Sequence, residues 1–392
     1  MKRVLIIGAG ASGLMAAIHA AENGAAVTIL DRNAQPGKKI LASGNGRCNL
    51  TNRTITDTSW RGHDPAFAYE VLKAWSVEDT LNMFDRLGLV LKDQEGWIYP
   101  YAGQSQAVLA ALLDACARLK VKIKTNEEVV SVTKEGDLFQ VITAGWHYEA
   151  DALIIAAGSP ASEVSGASDF GFSCAQAFGH TVYPPLPALT VLRSGDRLIS
   201  GWGGARVQAT ATLCINGETI LDRTGQIQTI NGGISGIPIF QLSRYAAEAL
   251  ADGQAVTLML DLMPDHDLES LTALLTHLQA VKGEGESVTA ILKGLLPDKL
   301  IPVFKKLEFA ALPRVMKQFF LIITGTGSLK QAQVAAGGVK TEEVDALTCR
   351  SRLVDDLYIT GECLDIDGDC GGYNLQFAWA TGALAGQAAA RE

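Results

Sequence analysis

The segment Ser43-Gly44-Asn45-Gly46-Arg47-Cys48-Asn49-Leu50-Thr51-Asn52 gathers more groups able to do chemistry than any other stretch of this chain. Its glycines let backbone lie against a flat ring, and Asn45, Arg47 and Asn49 offer donors to a ring oxygen or a substrate carbonyl. Arg47 keeps its proton at ordinary pH, so its chemical role would be electrostatic; a salt bridge fixing the loop is an equal reading. Cys48 is a candidate weak acid or covalent handle. It has no Cys-x-x-Cys partner, and inert packing is the commoner use of such a thiol. Near the other end, Asp365, Asp367 and Asp369 alternate without the spacing or closing glutamate of a calcium loop, so an acid-capped turn is expected. Tyr373 is a candidate general acid, with packing at a helix start as the alternative. His180 is expected to be structural. The other histidines have no ligand spacing, so no metal is expected.

Such groups need a frame, and the N-terminus supplies one. Val4-Leu-Ile-Ile-Gly8-Ala-Gly10-Ala-Ser-Gly13 leads into an alanine-rich helical stretch and then Val27-Thr-Ile-Leu-Asp31, the order of a dinucleotide-binding βαβ unit. Gly8 permits the tight turn, Gly10 lets backbone approach a pyrophosphate, and Gly13 lets the helix pack on the sheet. The helix from Ala11 would aim free N–H groups at the diphosphate, and Asp31 stands where an acid accepts from the adenosine ribose. A secretory signal would discard these glycines, so the apolar start is read as a strand.

Composition bounds the rest. With 392 residues, 40 glycines and 48% hydrophobic residues, the chain suits a multidomain α/β protein rich in βα turns. Its net charge of −9 disfavours a broad nucleic-acid surface. Seven cysteines without zinc-like spacing point to a reducing, cytoplasmic setting, and no run is long and apolar enough for a membrane span. Helical spacing covers 66–87 and 104–119, short strands are expected at 129–133 and 139–143, and Asp151 to Gly158 reads as a buried parallel strand. Tyr183-Pro-Pro-Leu-Pro-Ala188 looks like an exit linker. Hairpin text follows to about 245, with turns at Asn216-Gly217 and Asn231-Gly232-Gly233, and Leu-rich helical text fills 265–325. The expected division is a discontinuous Rossmann-type domain (1–187 and 349–392), a β-barrel-like insert (188–248 and 327–348) and a helical insert (249–326).

Leu357-Tyr-Ile-Thr-Gly-Glu362 resembles the second fingerprint of FAD-dependent two-dinucleotide-fold proteins, whose acid binds the flavin ribityl chain. A helix starting near Asn374 would then aim its N-terminus at the flavin pyrimidine. Longer blocks extend the likeness. Pro36 to Asn52, Gly96-Trp-Ile-Tyr-Pro100, Gly179-His-Thr181, Ala336-Gly-Gly-Val339, Gly361 to Asp365 and Gly371 to Gln376 together resemble the BaiN/YhiN family of bacterial flavoproteins, also labelled aminoacetone-oxidase-like. Asn45 departs from a frequent glycine and Trp97 from a frequent basic residue, which puts substrate choice in question.

The resemblance implies an FAD core with two inserts and a reductase of conjugated C=C bonds, acting on bile-acid-type enones or on uridine in ribosomal RNA. Without a second complete GxGxxG unit, NADH or NADPH would dock transiently as reductant. A flavin amine oxidase and a non-catalytic flavin sensor are the alternatives. Arg47, Cys48, Asn49 and Tyr373 are the candidate catalytic residues. Cofactor contacts are expected from Gly8, Gly10, Ala11, Ser12, Gly13, Asp31 and Arg32, then from Lys38, Lys39, Ser43, Gly44, Asn45 and Gly46. Further contacts are expected from Val129, Val130, Ala157 and Gly158, and from Gly361, Glu362, Asp369, Gly372, Tyr373, Asn374 and Leu375. Between 280 and 330, Lys282, Lys293, Lys299, Lys305, Lys306, Arg314, Lys317 and Lys330 outnumber Glu284, Glu286, Asp298 and Glu308. An RNA substrate could use this excess, although a solvated helical face is the preferred reading.

Overall fold

A computed structural model describes residues 1–283 and 285–391, so Glu284 lies outside the described residues. The chain divides into two compact units, Met1–Pro185 with Val334–Glu392, and Leu186–Gln333.

The first unit is built on a five-stranded sheet. β1 (Arg3–Ile7) leads through α1 (Ala11–Glu22) to β2 (Ala26–Asp31). The strand order is Leu357–Ile359, Ala152–Ile155, β1, β2, Lys122–Thr125, and every pairing is parallel. The central strands read as unbroken apolar runs because both faces are covered. Val129–Glu135, Leu138–Thr143 and His147–Ala150 form an antiparallel meander. The single helical stretch expected over 66–87 is broken into Ala66–Ala74 and Val77–Arg86. Trp75 is extended there, and Ser76 opens the second helix with a capping box to Asp79.

The C-terminal helix, Tyr373–Ala389, packs on α1 almost backbone to backbone. A side chain at Gly382 would collide with the Ser12 carbonyl, and one at Gly386 with that of Ala16. The stretch expected as an exit linker is instead a strand, Val182–Ala188, paired with Val334–Val339. A two-stranded ribbon tolerates prolines, since each edge lacks a second neighbour for the missing N–H.

The second unit is a closed barrel of six strands: Leu192–Ser194, Gly233–Gly236, Glu218–Ile230, Arg206–Ile215, Val256–Asp261 and Phe319–Thr326. Asn216 and Gly217 both adopt positive φ, 52° and 86°, as a two-residue hairpin turn requires. The segment 249–326, expected as a separate helical insert, supplies two of the barrel strands. Its helical residues Leu271, Leu275, Ile291, Phe304 and Met316 share the barrel's core with Leu213, Ile227 and Leu258. Among the described residues no helix is long and apolar enough to cross a membrane.

Candidate functional site

The glycine turn after β1 has one crowded side and one open side. Gly8, at φ 106°, could carry no side chain without striking the Ala156 carbonyl, and a Cβ at Gly13 would strike the Gly8 carbonyl. A Cβ on Gly10 would meet no atom within 4 Å. Close packing therefore demands Gly8 and Gly13, whereas Gly10 borders open space at the N-terminus of α1, where no side chain caps the helix.

Asp31 is the linchpin of this turn. Its Oδ2 accepts from the Ala9 N–H at 2.8 Å and its Oδ1 from the Asn33 N–H at 2.8 Å, so each oxygen holds one backbone N–H and retains a second lone pair. Ser12 is buried against Gly361. Arg32 pairs with Glu128 at 2.6 Å, and Lys38 donates to Asn33 Oδ1 at 3.1 Å. Val129 is buried, whereas Val130 turns outward and is 65% exposed.

At the end of the sheet, Gly361 takes φ 61° and donates its N–H to Thr381 Oγ1 at 3.0 Å. The next residue, Glu362, gathers three segments: its Oε2 accepts from Lys39 Nζ at 2.5 Å, and its Oε1 from Ser159 Oγ at 2.7 Å and the Ala335 N–H at 3.0 Å. Ser159 directly follows Ala157 and Gly158, the latter at φ 71°.

The loop 43–52 is pinned to the C-terminal helix, since the Leu50 carbonyl accepts from Trp379 Nε1 at 3.0 Å. Ser43 donates to the Ile40 carbonyl, Gly44 and Asn45 both take positive φ of 55°, and Gly46 takes 81°. Arg47 is exposed, donates to Gln94 Oε1 at 2.8 Å and stacks 4.4 Å over the Tyr99 ring. No carboxylate pairs with it among the described residues, so a cation–π contact and an amide orient it in place of a salt bridge. Cys48 is fully buried and its thiol is pushed up to about 11 by burial, so it is neither accessible nor a thiolate at neutral pH. A chemical role for Cys48 is not supported.

Asn49 is different. It is buried, yet neither Nδ2 nor Oδ1 has a partner, and the amide lies beside Gly372. Gly372 sits at φ 95° before the C-terminal helix, which no side chain caps. A buried amide left empty next to free helix N–H groups fits a planar polar ligand such as a flavin pyrimidine edge. Asn374 closes its own turn instead, bonding the Gly368 N–H and carbonyl at 2.8 and 3.0 Å, and Leu375 is half-buried. Tyr373 is 9% exposed, with its hydroxyl 3.3 Å from Thr54 Oγ1 and its ring against Trp60. Thr54 in turn donates to Asn52, which donates to the Gly371 carbonyl. Asp369 pairs with Arg61 at 3.0 Å.

A third group was invisible in the sequence. His63 Nδ1 lies 2.8 Å from Asp365 Oδ2, and the His63 ring stacks on Tyr183 with centroids 3.5 Å apart. The three come from distant segments, and the paired strands Trp60–Arg61 and Asp367–Gly368 help align His63 with Asp365. His180, by contrast, bonds Glu343 at Nδ1 and Ser351 at Nε2, which imitates a hydrolytic triad. Its side chain is wholly buried and Ser351 is occupied by the Leu353 and Val354 N–H groups, so the arrangement is structural, as expected. Among the described residues no cluster of His, Cys, Asp and Glu could hold a metal ion.

The family model described as HI0933-like protein Rossmann domain matches residues 2–388. The chain is 40% identical over its full length to the 3-dehydro-bile acid delta(4,6)-reductase of Clostridium scindens, covering 99% of that protein. It is 29% identical to the ribosomal RNA dihydrouridine synthase of Haemophilus influenzae, over 96% of each chain. Among solved structures, 3-ketosteroid delta1-dehydrogenase from Sterolibacterium denitrificans superposes over 100% of both chains with TM-score 0.53 at 12% identity, a likeness of fold alone.

Proposed function

This chain belongs to the HI0933-like Rossmann family, and on that premise we propose that it is an FAD-dependent reductase of conjugated carbon–carbon double bonds. The substrates we infer are enones of the steroid or bile-acid type. The observation that carries the reading is the unpartnered Asn49 amide beside the uncapped N-terminus of Tyr373–Ala389, joined to the open backbone at Gly10. The full-length likeness to a bile-acid reductase supports the substrate class.

In this reading Gly10 and the N-terminus of α1 hold the diphosphate, and Glu362 with Lys39 orients the ribityl chain. Asn49 and the first-turn amides of the C-terminal helix face the pyrimidine edge and stabilise negative charge there. Asp31 acts on the adenosine side chiefly by fixing the Ala9–Asn33 backbone. Bound FAD would supply two-electron hydride chemistry, with NADH or NADPH as transient reductant. The chain's own residues orient, exclude water and supply the proton. Arg47 is held by Tyr99 and Gln94, so its charge is aimed by a ring and an amide and is not spent on a carboxylate. It is placed to attract the substrate's polar end.

The second reading, uridine reduction in ribosomal RNA, draws on the H. influenzae relative and the basic excess of 280–330. Two of those cations are engaged within the unit: Lys317 pairs with Asp261 at 2.6 Å, and Lys299 donates to the Gly203 carbonyl at 2.7 Å. That leaves fewer for phosphate, and the enone reading is preferred.

The test is to purify the chain, record its visible spectrum, reduce it anaerobically with NADH or NADPH, and offer 4-en-3-one steroids, ribosomal RNA, amines and oxygen in turn. Reoxidation by steroid enones is expected. Flavin bands absent even after added FAD overturn the reading, and peroxide with amines or inertness to all acceptors points to the oxidase or sensor instead.

A further inference from the structure

Outside the loop and glycine turns, the first unit holds one solvent-facing histidine with a built environment. Asp365 is 1% exposed, and both hydrogen bonds it receives come from His63: the backbone N–H at 2.9 Å and the ring Nδ1 at 2.8 Å. Its other oxygen, Oδ1, is buried without a partner. The His63 side chain is 52% exposed, and Tyr183 lies flat against its ring at an interplanar angle of 8°. One ring nitrogen is thus tied to a buried carboxylate and one ring face is covered. Nε2 is left at the open edge with no partner, in an orientation the side chain cannot readily leave.

Position matters as much as chemistry. Asp365 follows Glu362 by three residues and precedes Gly372 by seven, so in sequence it lies on the short segment that joins the two ends of the flavin cradle proposed above. An extended chain covers at most about 10 Å to the first and 25 Å to the second. The strand Trp60–Arg61, two residues before His63, is held against this segment in register, Arg61 opposite Asp367 and Trp60 opposite Gly368. At Gly62 the approach is so close that a side chain would collide with the Asp365 carbonyl. Tyr373, the acid suggested by the sequence, is nearly buried and its hydroxyl is engaged with Thr54.

We propose that His63 is the catalytic acid of this site, giving its Nε2 proton to the carbon beside the substrate carbonyl, with Asp365 and Tyr183 as positioning residues. The inference rests on the enone-reductase reading. Bound FAD, reduced by a nicotinamide, would supply the hydride with its electron pair to the carbon β to the carbonyl. The π pair of the double bond shifts to the α carbon and forms a C–H bond with the proton leaving Nε2. The donor is the imidazolium form, with Nδ1–H kept on Asp365; the Nε2–H electron pair stays on the ring, which becomes neutral imidazole and regains a proton from solvent at its exposed edge. The substrate gains two hydrogens and the reductant loses one hydride.

The experiment uses FAD-loaded wild type, His63→Gln, His63→Ala and Asp365→Asn, each reduced with dithionite and mixed anaerobically with androst-4-ene-3,17-dione and a 4,6-dien-3-one steroid. Flavin content, the visible spectrum and the steroid Kd from spectral titration of the oxidised protein are expected within twofold of wild type. Reoxidation is expected to slow at least 100-fold in His63→Gln, in line with loss of a general acid, and about 10-fold in Asp365→Asn. Added imidazole should restore part of the His63→Ala rate, and in D2O wild type should place deuterium at the α carbon.

Wild-type reoxidation rates in His63→Gln overturn the proposal while leaving the reductase reading intact. Should His63→Gln lose flavin, failure of imidazole to rescue His63→Ala has the same force. A wild type that no steroid enone reoxidises sinks both.

Discussion

Alanine at Gly10 should separate cofactor binding from folding. The backbone there is extended, with φ −86° and ψ −163°, and an added Cβ meets nothing within 4 Å, so the apoprotein gains no clash. Lower entropy of the unfolded chain then stabilises it by about 0.4–1 kcal/mol. For a unit of this size the apo Tm rises by roughly 1–4 °C. The methyl nonetheless fills the space assigned to the diphosphate. Lengthening one hydrogen bond to a charged group costs about 1.5–3 kcal/mol, so the Kd for FAD should rise about 10- to 100-fold. Gly13→Ala should behave in the opposite manner. Its Cβ would strike the Gly8 carbonyl and lie 3.1 Å from the Gly8 carbonyl carbon, so α1 must shift, at a cost of about 3 kcal/mol and roughly 6–12 °C in Tm. Differential scanning of apoproteins with fluorescence titration of FAD measures both. A Gly10→Ala protein that binds FAD like wild type would refute the placement of the diphosphate, and a Gly13→Ala protein as stable as wild type would refute the packing argument.

Three further outcomes follow from named side chains. Asp31→Ala strands the Ala9 and Asn33 N–H groups and should cost roughly 2–5 kcal/mol, with Asp31→Asn costing less; an unchanged urea midpoint contradicts this. His19 is buried against Trp75, and desolvation, aided by Arg86, lowers its pKa to about 4. The unfolded chain therefore binds the proton first, and up to about 3 kcal/mol of stability is lost as pH falls from 6.5 to 4. His19→Gln should flatten most of that limb in pH-dependent melting, leaving the smaller part due to His180, whose pKa burial also lowers. Cys48, with its thiol near 11, should escape iodoacetamide at pH 8 in the native protein while half-exposed Cys214 is alkylated, as peptide mass spectrometry will show. Early labelling of Cys48 would mean that the loop opens.

What the sequence made legible was local and periodic. β1, α1 and β2 follow from three glycines and two apolar runs, and the barrel hairpin follows from Asn216-Gly217. Phe319–Thr326 looks helical in sequence because Phe320 and Ile322 are apolar yet face outward, which hides the alternation of a strand. Val182–Ala188 looks like a linker in sequence because its prolines conceal a ribbon strand. In the site, residue type identified Asn49 and Glu362, but not their partners. That Lys39 and Ala335 converge on Glu362, and that His63 faces Asp365 across 302 residues, depends on strand pairings that no spacing rule contains.

The glycine contact between α1 and Tyr373–Ala389 also bears on how this protein emerges from a ribosome. The barrel unit is contiguous in sequence and complete once Gln333 has been made, so it can fold while synthesis continues. The N-terminal unit cannot. Its edge strand Leu357–Ile359 and the helix that covers Ser12 and Ala16 are made only after the barrel, leaving the dinucleotide turn without its lining until then. Completion of the glycine turn is thereby coupled to synthesis of Tyr373–Ala389, and a chain stalled before Gly382 would hold a folded barrel and a first unit without its covering helix.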